Sequence, residues 1–315
     1  MAKKICVIGA GAWGENHVRT LNEMGCLGGV MDKNAERLAY IRDKYNTEVF
    51  CELDEAIQRG FDGYVVSSSA ETHYSIAKAI LSESLPCIIE KPMTIEPSES
   101  EELVALAKEK NVTLMVAHIL LFHPAINKIK ELIDSGAVGK LFYLYSTRIK
   151  FGVVRTEENV FESFAPHDLA VLDYLVGSPA EKIEIHTGNF LQEKICDYAL
   201  ASMEYADNVK AHIQVSWLHP FKEQRVVVVG SKGMIWFDDA GDKKVYFCNK
   251  HVEWEEGFPA LKGDESVAVD YDDSQRPLER ELRYFVEHLD KKPEYSTGEA
   301  GCAVLRVLEQ ARERK

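Results

Sequence analysis

Apolar residues recur in two alternating rhythms along the first 119 positions. Short continuous runs predict strands at 4–9, 27–32, 48–51, 63–67, 86–90 and 112–117. The periodic stretches between them predict helices at 15–24, 33–45, 52–59, 73–84 and 98–110. Strands apolar throughout and separated by amphipathic helices predict a parallel sheet covered on both faces. After Pro124 the rhythm changes. A helix is predicted over 124–135, with Ile126, Ile129 and Ile133 on one face, and a long alternating strand over 140–150. A helix near 166–176 follows, striped by Leu169, Leu172, Leu175 and Val176. The runs at 181–190, 196–205, 208–218, 224–230, 233–238 and 243–248 have no helices between them. Short turns such as Gly230-Ser231-Lys232-Gly233 make this second sheet mostly antiparallel. Residues 251–275 are acidic and weakly patterned, so a long loop is expected before closing helices at 277–290 and 298–313. The pattern is that of an α/β chain in two domains, 1–119 and 120–315, with the last helix able to pack back on the first domain.

The first strand, Ile5-Cys6-Val7-Ile8, ends in Gly9-Ala10-Gly11-Ala12-Trp13-Gly14 and leads into a helix carrying Val18 and Leu21. Strand, G-x-G-x-x-G, then helix is the dinucleotide fingerprint of a Rossmann domain. Gly9 permits the tight turn, Gly11 lets the backbone approach a pyrophosphate, and Gly14 lets helix and strand pack closely. Ala12 and Trp13, inside the turn, join the predicted cofactor contacts. The helix N-terminus adds unpaired N–H groups and a positive dipole end. Asp32 closes the second strand 18 residues past Gly14, where a carboxylate accepts from the adenosine ribose. An acid there favours NAD over NADP, whose 2′-phosphate it would repel; Lys33 softens that preference. Ser67 and Ser68 end the fourth strand, placed to touch the ribose or nicotinamide arm. His73 opens the next helix, either capping it or reaching the cofactor.

The fifth strand ends in Glu90-Lys91-Pro92, at the carboxyl edge where ligands of open α/β sheets bind. Lys91 there can polarise a substrate hydroxyl, with Glu90 beside the cofactor. A second constellation is Glu162-Ser163-Phe164-Ala165-Pro166-His167-Asp168, entering the 166–176 helix. His167 suits proton transfer near neutrality, or is a capping or core histidine. Asp168 fits a helix first turn, where the dipole stabilises a carboxylate. Arg148, Lys150, Arg155, Lys222 and Arg225 lie on or beside the strands of the second sheet, where some can meet a diphosphate. Trp217, at a strand end, lines the pocket or joins the core.

Composition narrows the partners. With 37 Lys and Arg against 51 Asp and Glu, the chain carries −14 at pH 7, which repels nucleic acid and anionic membranes. The cysteines at 6, 26, 51, 87, 196, 248 and 302 have no metal-ligand spacing, so reduced thiols in a cytoplasmic protein and no metal are expected. No apolar run approaches a membrane span.

The glycine turn, Glu90-Lys91-Pro92 and the His167 segment, in this order, resemble the Gfo/Idh/MocA family of oxidoreductases. The resemblance extends to Phe122-His123-Pro124-Ala125-Ile126, Val138-Gly139-Lys140, Val229-Gly230-Ser231-Lys232-Gly233 and the closing helices. It implies a Rossmann domain followed by an α/β domain whose open sheet covers the nicotinamide and forms the interface of a homodimer or homotetramer. It also implies NAD-dependent oxidation of a secondary hydroxyl, with Lys91 and His167 as the catalytic pair. The family's D-x-G-x-H aspartate is Ser163 here, with Glu162 beside it, and its arginine before Phe-x-Pro is Leu121. The stretch from Tyr145 to Val160 is similar to members that oxidise nucleotide-activated amino sugars at C3. The implied substrate is therefore a UDP-N-acetylhexosamine or its uronate, contacting Lys91, Arg148, Arg155, Ser163 and His167. The alternatives are a free cyclitol or sugar, reduction of a keto-sugar, and a non-catalytic dinucleotide sensor.

Overall fold

The computed structural model describes residues 3–313. The chain forms two compact units, one comprising the chain up to Phe122 with Gln275–Arg306, the other His123–Ser274 and the chain from Val307 on. The expected division ran 1–119 and 120–315 with the last helix able to pack back on the first domain; here Gln275–Arg306 groups with the first unit.

The first unit runs β1 (Ile5–Ile8), α1 (Gly14–Glu23), β2 (Leu27–Met31), α2 (Ala35–Tyr45), β3 (Glu48–Phe50), α3 (Leu53–Gln58), β4 (Gly63–Val66), α4 (Ala70–Ser82), β5 (Cys87–Glu90), α5 (Pro97–Lys110) and β6 (Leu114–Ala117). Its strands lie in the order β3-β2-β1-β4-β5-β6, every pair parallel. All residues of β1, β4 and β6 are buried, as strands covered on both faces must be. The order reverses direction between β1 and β4, so the carboxyl ends of those two strands open the crevice where such sheets bind ligands.

The second unit continues with α6 (Pro124–Asp134), β7 (Leu141–Ile149), α7 (Val160–Val176), β8 (Lys182–Gly188), β9 (Tyr198–Glu204), β10 (Lys210–Ser216), β11 (Glu223–Gly230), β12 (Met234–Asp238), β13 (Val245–Cys248), β14 (His251–Glu255), β15 (Phe258–Lys262) and β16 (Val267–Ala268). Eight strands form one sheet, β16-β13-β12-β11-β7-β10-β9-β8, antiparallel except where β10 lies parallel to β7. α7 packs on β7, β9 and β10, and α6 on β12. Strand alternation therefore buries Leu144, Ile213, Val226, Val228 and Ile235 beneath the helices. The opposite face carries Tyr145 stacked on His212 and Trp236 stacked on Tyr246.

Two elements differ from expectation. The acidic stretch 251–275 is not a loop: β14 and β15 form a hairpin, and β16 pairs with β13. Val252 and Trp254 alternate with charged residues before Glu256-Gly257, both at positive φ (51° and 86°), the conformation a two-residue hairpin turn requires. The helix expected from 166 begins instead at Val160, so His167 and Asp168 lie in its interior. Asn159 caps it and Glu162 completes a capping box, a start signal strong enough to carry the helix through Pro166. The chain then enters α8 (Pro277–Glu287), which packs on α1, and α9 (Gly298–Glu313).

Candidate active site

The glycine turn owes its shape to close backbone approach. Gly9 has φ +94°, and a Cβ there would sit 2.6 Å from the Ser68 nitrogen and 2.7 Å from the Ser67 carbonyl oxygen. A Cβ on Gly14 would lie 2.0 Å from the Gly9 oxygen, whereas one on Gly11 would meet nothing within 4 Å. The turn is thus packed against protein at Gly9 and Gly14 and open at Gly11, which is where a diphosphate needs backbone access. Asp32 accepts the Ala10 N–H (2.6 Å) on one oxygen and the Asn34 N–H (2.8 Å) on the other. Each oxygen keeps a lone pair for a ribose hydroxyl. Arg37 donates to the Ala10 carbonyl and pairs with Glu15, so its charge is already matched by protein. Lys33 is exposed at the turn's edge. These residues fit a dinucleotide, and the acid with a spent arginine fits NAD.

Three predicted cofactor contacts, His73, Ser68 and Glu90, have hydrogen-bond partners within the protein. His73 is 1% exposed, its ring 2.8 Å from the Pro92 carbonyl and 3.1 Å from the Ser68 carbonyl, so it ties the ends of β4 and β5 together instead of facing a ligand. Ser68 shares a 2.7 Å hydrogen bond with Thr72, and Ser67 is buried beside the glycine turn. Glu90 receives the Trp13 indole N–H and stands 2.7 Å from His17 Nε2, while its second oxygen accepts the Lys91 N–H at 3.2 Å. Burial pushes this carboxyl up, but the His17, Trp13 and Lys91 hydrogen bonds outweigh it and hold Glu90 below the usual carboxylate range. It is an anchor from α1 to the Lys91-Pro92 loop, whose peptide is cis. Lys91 itself is half-buried. Nothing local in the sequence announces this network, since its partners stand 73 and 77 positions apart.

In the second unit, Ser163 and His167 lie four residues apart on α7, hence on one face, and line a pocket with Phe164, Arg148, Lys150 and Lys222. Glu162 does not face it: its oxygens complete the helix cap and pair with Arg312. Arg148 is held by Asp168 in a bidentate pair (2.8 and 3.0 Å), and Ser146 donates to the same carboxylate at 2.6 Å. Burial opposes the guanidinium charge, but Asp168 more than offsets it and holds the pKa of Arg148 above its ordinary value. Asp168 is accordingly the counter-ion of Arg148, not a residue of a helix first turn. Arg155 pairs with Glu158. Arg225 pairs with Asp238 at 2.7 Å, and strand register places it with Thr147, on the face opposite Arg148 and Gln224. Lys222 stands 3.3 Å from Asp239, which also holds Lys244 at 2.8 Å. Trp217 is fully buried and belongs to the core.

A six-stranded doubly wound sheet with a glycine turn and a ribose-placed acid defines a dinucleotide-binding protein. Residues 3–118 match the oxidoreductase family with an NAD-binding Rossmann fold, and residues 126–236 match the GFO/IDH/MocA C-terminal domain. The chain belongs to the Gfo/Idh/MocA oxidoreductase family and is an NAD-dependent enzyme. It is 26% identical, over 97% of its length and 95% of the relative's, to UDP-N-acetylglucosamine 3-dehydrogenase of Acidithiobacillus ferrooxidans. The solved structure of that protein, GnnA, superposes with a TM-score of 0.85 at 23% identity, covering 99% of this chain and 97% of that one. Myo-inositol 2-dehydrogenase of Thermotoga maritima is 24% identical over 78% of both chains. The WlbA dehydrogenase of Bordetella pertussis, solved with NADH and UDP-GlcNAcA, has the same fold (TM-score 0.78, 18% identity, 100% and 97% covered).

Proposed function

We propose that this enzyme oxidises C3 of a UDP-N-acetylhexosamine or its uronate. The observation that carries the reading is the pocket beside His167, where Lys150, without an ion pair among the described residues, presents positive charge on an otherwise acidic chain. A free cyclitol has no use for that charge. The near full-length likeness to a UDP-N-acetylglucosamine 3-dehydrogenase supports the same reading.

Gly9, Gly11, Gly14 and Asp32 hold the dinucleotide, with Ala12 and Trp13 in the same turn and Ser67 and Ser68 beside it. When bound, NAD supplies the hydride acceptor. Lys91, kept in place by the Glu90 anchor, donates to the substrate hydroxyl oxygen and lowers the cost of its developing negative charge. His167 accepts the hydroxyl proton through its imidazole. Ser163, one turn before His167 on the same helix face, orients the same hydroxyl group or its neighbour by hydrogen bonding. Proton transfer by such positioned groups contributes about 10²–10⁴ in rate.

The test is NADH formation with UDP-N-acetylglucosamine, its uronate, UDP-glucose, myo-inositol and glucose. Turnover confined to the UDP-sugars supports the reading, and turnover of polyols alone defeats it. Lys91→Ala should lose about 10³-fold in kcat while NAD still raises its melting temperature; unchanged turnover would remove Lys91 from the chemistry. The open face of the second sheet, with its stacked aromatic pairs, supports assembly of a homodimer or homotetramer, and the seven free thiols support a cytoplasmic setting.

A further inference from the structure

The five basic residues of the second sheet are not equivalent. Arg148 is committed to buried Asp168, Arg155 to Glu158, and Arg225 to Asp238 on the far face. Lys222 shares Asp239 with Lys244. Lys150 differs from all of these. Among the described residues it makes no ion pair, and its ammonium stands 5.5 Å from the centre of the Phe164 ring. Phe164 lies three residues before His167 on α7, so Lys150 is carried over the same helix face that presents the imidazole. Both line one pocket.

Burial explains the contrast. Arg148 is 16% exposed and Asp168 2% exposed, so each needs the other once water is excluded. Lys150 is exposed and stays hydrated without a partner, leaving its full charge and three donors free to meet a ligand. A ring beneath the ammonium steers it without neutralising it.

We propose that Lys150 is the specificity-determining residue that binds anionic oxygens of the sugar substrate, a proposal resting on the nucleotide-sugar reading above. The shared chemistry is an ammonium against phosphate or carboxylate oxygen. Its sources are the glycosyl phosphate of a nucleotide sugar or the C6 carboxylate of a uronate. Lys150 discriminates against neutral polyols by contributing binding only to the anion. Because the anion is present in both ground and transition states, the contribution appears in KM and not in kcat.

The experiment compares the full-length wild type with Lys150→Met, which keeps the aliphatic stem over Phe164, and Lys150→Arg. Steady-state NADH formation is measured with UDP-N-acetylglucosamine and with its uronate. Lys150→Met is expected to raise KM at least about tenfold with kcat within about threefold, and Lys150→Arg to recover most of the affinity. Equal KM increases on both substrates assign the phosphate as partner; an increase confined to the uronate assigns the carboxylate. An unchanged KM on both, with wild type active, overturns the proposal and leaves the nucleotide-sugar reading intact. A fall in kcat at constant KM also overturns it, since that marks a role in the chemical step. Wild type active on neutral polyols alone defeats both. An NAD-induced thermal shift equal to that of wild type verifies that the variants are folded.

Discussion

The glycine turn of the first unit and the α7 pocket of the second are built on opposite plans. The turn is a backbone site: Gly9 and Gly14 remove side chains so that main chain can meet main chain, and Asp32 is oriented by two backbone N–H groups. The α7 pocket is a side-chain site. Its shape depends on which charges are neutralised internally, Arg148 by Asp168 and Glu162 by Arg312, and which, like Lys150, are left over. A backbone site tolerates no added atoms. A side-chain site tolerates them but depends on pairing.

That contrast can be broken most forcefully at the buried pair. Arg148→Met strands the Asp168 carboxylate, and chemical denaturation should show a loss of about 3–5 kcal/mol. A loss under about 1 kcal/mol would mean that the pair behaves as a surface ion pair. The turn is tested by Gly14→Ala. Helix propensity alone would make alanine better by about 1 kcal/mol, but its Cβ would sit 2.0 Å from the Gly9 oxygen. We expect a net loss of about 2 kcal/mol, within the usual range for overpacking, together with loss of the NAD-induced thermal shift. An alanine variant that binds NAD normally would show that the approach is relaxed in solution.

The smallest effect sharpens the comparison from within the first unit. Glu281 of α8 is fully buried, and among the described residues neither of its carboxyl oxygens has a hydrogen-bond partner. Burial and, secondarily, the charge of Glu90 push its pKa well above the ordinary value of 4.5. The folded chain then keeps a proton that the unfolded chain has released. The stability this contributes is full below about pH 4.5 and declines as pH rises toward the raised folded value. Glu281→Met removes both the unpaired carboxyl and that slope, so stability should rise by about 1 kcal/mol, more at pH 8 than at pH 5. A pH-independent change would mean that Glu281 is not the titrating group.

Legibility followed the same division. The six parallel strands, the turn and Asp32 could be read because each depends on neighbours a few residues away or on a strand period. The second sheet was legible strand by strand from its alternation. The start of α7 at Val160 is written in Asn159 and Glu162, which stand at capping-box spacing ahead of the apolar stripe that predicted the helix. The β14–β15 hairpin was hidden by its acidic composition, which masked the alternation of Val252 and Trp254.

Other features had no local signature at all. The hydrogen bonds of Glu90 with Trp13 and His17, and the place of His73 between two carbonyls, are set by the tertiary fold. Of the five cations, Arg148 and Arg155 were the expected substrate contacts, yet both are paired within the protein, as are Lys222 and Arg225, and Lys150 has no ion pair among the described residues. By itself the sequence determined the Rossmann unit and its preference for NAD, because glycine, strand period and a terminal carboxylate act through the local backbone; the class of chemistry came with the family resemblance. Which charges remain available to a ligand was decided only by the tertiary structure, because neutralisation depends on distance and burial between residues far apart in the chain.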